Sequence, residues 1–185
     1  MIQGKTLERL IAFTDAIVAV AITLLVLPLT DFFATLTAGN LATRLQSVTF
    51  AHLVLGVLIS FFTVFSFWNG HRRTLAPVTE LSKSGYWANV LWLLAIVLIP
   101  AATRLIVDNT GRLGLMLYTA VLLFGSAVSV WLRHAVNHRV QAADFITSAL
   151  LVVILGLAWA LPGLGSNLFF VLFAALPLHR LVKRK

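Results

Sequence analysis

From Ala16 to Thr30 the chain carries no charge, and over the longer stretch Leu7–Thr30 the only charged residues are Glu8, Arg9 and Asp15. About 20 mainly apolar residues suffice to carry a helix across roughly 30 Å of hydrocarbon. The opening segment is therefore long enough to span a bilayer as one helix. It does not read as a cleavable signal peptide: Asp15 interrupts the apolar run, which continues to Leu29, too long for the core of such a peptide. A carboxylate at the start of a membrane helix is costly, so Asp15 marks either function or a buried polar contact.

The same pattern recurs down the chain. With 60% hydrophobic and 11% charged residues in 185, there is too much apolar surface for a soluble core to hide. Six spans are expected: Leu7–Thr30, Ala51–Gly70, Tyr86–Ile106, Leu113–Leu132, Phe145–Leu161 and Leu164–Leu178. The last two are short, and Pro162-Gly163 between them signals a tight helical hairpin, a re-entrant pair being the alternative. Six spans place Lys5, Arg9, Arg72, Arg73, Lys83, Arg133, Arg139, Arg180, Lys183, Arg184 and Lys185 on one side, and Arg44, Arg104 and Arg112 on the other. Basic loops stay in the cytoplasm, so both termini are expected there. The net charge of +8 is thus topological, and nucleic acid is not an expected partner. The longest connection, Asp31–Phe50, has the composition of a short amphipathic helix at the outer interface. Residues 1–185 read as one all-α membrane domain.

Within the first span, Val20, Leu24 and Leu27 follow i, i+4, i+7 and share one narrow stripe, with Phe13 and Ile17 below it and Asp31 beyond its outer end. Thr23 lies one step off the stripe, whereas Asp15 points away from it. Periodicity alone leaves the stripe as packing, lipid contact or pore lining. Near the same cytoplasmic depth the second span ends in Trp68-Asn69-Gly70-His71 and the third opens with Trp87-Ala88-Asn89. Arg9, Asp15, His71 and Asn89 can form a polar network there, with the Trp68 indole as a further donor. Trp68, Trp87 and His71 also fit an interfacial aromatic belt.

Enzymatic and metal chemistry find little support. There is no Cys, hence no disulfide or thiolate site. His134 and His138 stand at i, i+4 but lack a nearby acidic partner, so no metal site is expected. Ser60 and Ser66 have no base at catalytic spacing, no glycine-rich phosphate loop occurs, and no cofactor is expected.

Arg9-x-x-x-Phe13-Thr14-Asp15, followed by Ala-Ile-Thr-Leu-Leu at 21–25, resembles the signature of the transmembrane protein 175 family, the endosomal and lysosomal potassium channels and their prokaryotic homologues. Thr14 stands where the family has serine and keeps the hydroxyl. The second span, Ser60-Phe61 through Trp68 and His71, and the third, with Trp87, Asn89, Ile99-Pro100 and Thr103, are similar to the family pattern as well. The resemblance covers residues 7 to about 106. It implies six spans per chain, a homotetramer in a prokaryotic plasma membrane, and a central pore lined by the first helix. It also implies passive flux of K⁺ and other monovalent cations past an apolar constriction at Val20, Leu24 and Leu27, with Thr23 beside it. Arg9, Phe13, Thr14, Asp15, Trp68, His71 and Asn89 would form the structural motif network. No carbonyl filter of the TVGYG type is present. Asp31 near the outer mouth could concentrate cations, or be an ordinary loop acid. Two departures stand out: Val20 is smaller than the family's usual residue, and Pro28 is expected to kink the outer end of the first helix. A proton-coupled transporter using Asp15 and His71 is the alternative, against which no inverted repeat is visible. A membrane scaffold without flux is a third.

Overall fold

A computed structural model describes residues 1–108, 111–137 and 142–160. The order is β1 (Ile2–Gln3), α1 (Gly4–Leu24), α2 (Leu27–Phe33), α3 (Leu41–Leu45), α4 (Val48–Leu75), β2 (Glu80–Leu81), α5 (Lys83–Val107), α6 (Gly111–Asn137) and α7 (Ala142–Ala160). Gly4–Phe33, α4, α5 and a segment of α6, Arg112–Val136, are each long and apolar enough to cross a membrane. α7 coincides with the expected fifth span; the sixth span and the Pro162-Gly163 turn lie outside the described residues.

Pro28 explains the division of the first span. It cannot donate an amide to the Leu24 carbonyl, so the i→i−4 ladder is interrupted there. The chain tightens first, Leu25 N bonding Ile22 O and Val26 N bonding Thr23 O, both at 3.2 Å. It then restarts as α2 with the proline in its first turn. α4 and α5 open on serine caps, the Ser47 hydroxyl accepting from Phe50 N and that of Ser82 from Gly85 N, both at 3.1 Å.

α5 is the hub. Its buried residues, Ala88, Asn89, Trp92, Leu93, Ala95, Ile96, Ile99, Ala102 and Thr103, recur at helical spacing and meet α1, α4 and α6. Pro100 sits inside α5 without ending it. Between membrane helices apolar burial supplies little driving force, so close approach matters. Gly125 of α6 provides it: a Cβ there would lie 3.2 Å from Ala95 Cβ and 3.4 Å from the Phe67 ring.

A small two-stranded ribbon closes the N-terminal end. Ile2 pairs with Leu81 and Gln3 with Glu80, and the Gln3 amide donates to the Glu80 carboxylate at 2.5 Å. The turn from β1 into α1 falls on Gly4, whose φ of +52° suits a residue without Cβ. At the other end the connection to α4 folds back: Phe32 stacks on Phe50 at 5.0 Å, and Arg44 covers the Phe32 ring while donating to the Thr35 hydroxyl at 2.8 Å. The expected amphipathic helix there is the five-residue α3, which buries none of its residues.

Candidate pore helix and its polar anchor

α1 has two unlike faces. Leu7, Thr14, Val18 and Ala21 are buried against the rest of the chain, as is Leu25 just beyond it. Phe13, Val20, Leu24 and Leu27 are 60%, 58%, 39% and 50% exposed. Thr23 is exposed beside them and donates its hydroxyl proton back to the Val20 carbonyl at 2.7 Å. Its oxygen lone pairs therefore remain available on the uncovered side. The first span is also the least covered: 22% of its most apolar stretch is buried, against 39% for α4 and 44% for both α5 and α6.

The inward face is held by two separate hydrogen-bond systems. In the first, the Trp68 indole N–H donates to an Asp15 carboxylate oxygen at 2.8 Å, joining α4 to α1. In the second, Asn89 is buried where α1, α4 and α5 meet. Its amide nitrogen donates to the Thr14 hydroxyl at 3.1 Å, and Thr14 donates onward to the Leu10 carbonyl at 2.9 Å. With that nitrogen committed, the Asn89 carbonyl oxygen faces His71 Nε2 at 2.7 Å and can only accept, so His71 carries its proton on Nε2. The His71 ring stacks on Trp92 at 4.0 Å between centroids. Thr14, Asn89 and His71 thus partner one another, which avoids the cost of orphaned groups at this junction, whereas the buried indole N–H of the stacked Trp92 has no hydrogen-bond partner.

The expected network is therefore divided. Asp15 and Trp68 form one unit, and Thr14, Asn89 and His71 the other. Arg9 is exposed and takes part in neither of these bonds. Trp87 is exposed and packs edge-on against Tyr86. Beyond the C-terminal end of α1, Asp31 of α2 is ion-paired with Arg104 of α5, which also binds Asp108 at 3.1 Å, so the Asp31 charge is offset at close range.

A further polar cluster went unread in the sequence. The hydroxyls of Ser60 and Thr103 lie 2.8 Å apart, and that of Tyr118 lies 3.2 Å from Ser60, tying α4, α5 and α6 together in full burial. Its only linear signal is a hydroxyl residue in each of three apolar spans. Among the described residues no group of three or more His, Cys, Asp or Glu could hold a metal ion. His138 lies outside the described residues.

Comparison with known proteins gives this architecture its class. The fold matches the crystal structure of a lysosomal potassium-selective channel TMEM175 homolog from Chamaesiphon minutus, with a TM-score of 0.76, 23% identity, and coverage of 95% of this chain and 98% of that one. The family model described as endosomal/lysosomal potassium channel TMEM175 matches residues 9–100. A potassium channel of Chryseobacterium sp. (strain P1-3) is 33% identical over 99 residues, 54% of this chain and 48% of that protein. The aligned segment thus spans about half the length of this curated relative. The chain belongs to the TMEM175 family. It is a multi-pass membrane protein.

Proposed function

We propose that this protein is a passive, K⁺-permeable cation channel of a bacterial plasma membrane, in which four copies of α1 surround a central pore. The observation that carries this reading is the uncovered apolar stripe of α1. The helix that bears the family motif directs Thr14 and Asp15 inward and leaves Val20, Leu24 and Leu27 without cover from its own chain. A symmetric ring of these helices would cover that face. In this reading each chain crosses six times with both termini in the cytoplasm.

Rings of Leu24 and Leu27 form the constriction, with Val20 on its inner side. An apolar ring supplies no charged ligand and gates by dewetting, so the ion passes with part of its water shell. Na⁺ holds that shell more tightly than K⁺, which gives a modest preference for K⁺. The two hydrogen-bond systems on the inward face fix the rotation of α1, and hence which side chains meet the axis. Asp15 and His71 each have their own partner, Trp68 and Asn89, which favours an anchoring role over a proton relay.

The absence of native cysteine allows a direct test. Introduced separately, Leu24→Cys and Leu27→Cys are expected to make K⁺ flux sensitive to a hydrophilic thiol reagent. Leu58→Cys, on the exposed side of α4, serves as the insensitive control. Block at Leu58 but not at Leu24 or Leu27 would remove α1 from the pore.

A further inference from the structure

We propose that Arg9 determines which cations enter the pore: four copies ring its N-terminal mouth, slow the entry of K⁺ from that side and hold back divalent cations more strongly. This rests on the pore-lining reading of α1 and adds to it a charge filter ahead of the apolar constriction.

Helix geometry sets the placement. α1 runs unbroken from Gly4 to Leu24. Arg9 lies eleven residues before Val20, close to three full turns, so the two side chains leave the helix within about 20° of each other. Arg9 therefore stands on the same face as Val20, about 16 Å away along the helix. Phe13 and Ala16, on that face between them, are exposed as well. Whatever turns Val20 toward the pore axis turns Arg9 toward it too.

The charge of Arg9 is not offset. Among the described residues Arg9 has no hydrogen bond or ion pair. Glu8 leaves the helix about 100° away, and Asp15 about 120° away, where it accepts from Trp68. Lys5 is exposed one turn nearer the mouth and about 40° round from Arg9, with the same sign. The first turn of α1 holds no acid, so the partial positive charge of four helix N-termini adds to the ring. A guanidinium stays charged at any working pH, so this barrier does not titrate.

A ring of like charge at a pore mouth lowers the local concentration of the ions it repels. A divalent cation feels twice the barrier of a monovalent one, so its fold effect is the square. At 0.1 M salt, where the screening length is about 10 Å, the expected reduction is roughly two- to threefold for K⁺ and roughly four- to ninefold for Ca²⁺.

Single-channel currents in planar bilayers, with equal K⁺ on both sides, test this. In the wild-type protein the current of K⁺ entering at the N-terminal mouth should be the smaller one, and the asymmetry should fade in 1 M salt, where the screening length is about 3 Å. Arg9→Gln should raise that current roughly two- to threefold at 0.1 M salt and raise Ca²⁺ entry by the square of that factor, while Arg9→Lys should match wild type. Arg9→Cys would be the sole cysteine of the chain. There a cationic thiol reagent should restore the wild-type current and an anionic one should raise it further, a dependence on sign that a packing role does not produce. An Arg9→Gln channel with wild-type currents at low salt, or equal gains for K⁺ and Ca²⁺, overturns the charge filter while sparing the pore. Should the Arg9 variants fail to assemble, the wild-type protein decides, since an asymmetry unchanged between 0.1 and 1 M salt overturns the proposal. No current through wild-type protein sinks the pore and this ring together.

Discussion

Trp68 donates its indole N–H to Asp15 at 2.8 Å, across the contact between α4 and α1. This bond satisfies the carboxylate that made the first span costly, without spending a second charge on it. It also fixes which way α1 is turned, since Asp15 and the stripe of Val20, Leu24 and Leu27 lie on different faces of the helix.

Removing the donor should therefore cost stability. Trp68→Phe keeps most of the packing but leaves the half-buried carboxylate unsatisfied, at an expected cost of about 1–3 kcal/mol. Asp15→Asn retains an acceptor oxygen and should cost less than Asp15→Ala. Thermal unfolding in detergent ranks the variants; equal melting temperatures for Asp15→Asn and Asp15→Ala would mean that the bond is not maintained. In flux assays Asp15→Asn should impair assembly or gating more than ion preference.

Asn89 is the more demanding position, because it accepts from His71 and donates to Thr14. Asn89→Ala should destabilise the protein more than Thr14→Ala, the former by about 2–5 kcal/mol for two broken contacts and a cavity. Thr14→Ser preserves the hydroxyl and should be nearly neutral. The same detergent melts test the order, and a Thr14→Ala variant as damaged as Asn89→Ala would point to a different centre for this junction.

Much of this was legible in the chain, for physical reasons that differ by element. The first four spans could be read because hydrocarbon thickness dictates their length, and the break in the first because proline lacks an amide. The pairing of His71 with Asn89 was readable as a shared depth. Arg9 illustrates the limit: sequence put it at the right level for the network, but depth does not specify azimuth, and its side chain is exposed and outside both hydrogen-bond systems. The ribbon of Ile2–Gln3 with Glu80–Leu81 is too short to show any alternation. The Ser60, Thr103 and Tyr118 cluster depends on how three helices are rotated, which hydropathy alone does not report.

Arg104 offsets Asp31 at the C-terminal end of the first span. Arg104→Gln releases that charge and should raise cation flux at low ionic strength, with the gain fading near 0.15 M salt, where the screening length is about 8 Å. Both partners are solvent-exposed, so folding stability should change little. Flux that is indifferent to Arg104→Gln at low salt would set Asp31 apart from the ion path.

Gly125 allows α6 to approach Ala95 and Phe67. Gly125→Leu should separate α6 from α5 and α4 and lower the yield of folded protein, whereas Gly125→Ala needs only a few tenths of an ångström of movement. Size-exclusion profiles distinguish the two; a monodisperse Gly125→Leu protein would show that the contact is not tight in solution.

The central claim is that α1 lines a passive cation pore, and ion flux tests it most directly. Purified protein alone should be placed in liposomes with an outward K⁺ gradient, compared with an equal Na⁺ gradient. The account predicts passive flux that favours K⁺ modestly and grows, with weaker discrimination, in Leu27→Ala. Absence of passive flux, together with uptake that follows a proton gradient and requires Asp15, would contradict it and establish a transporter instead.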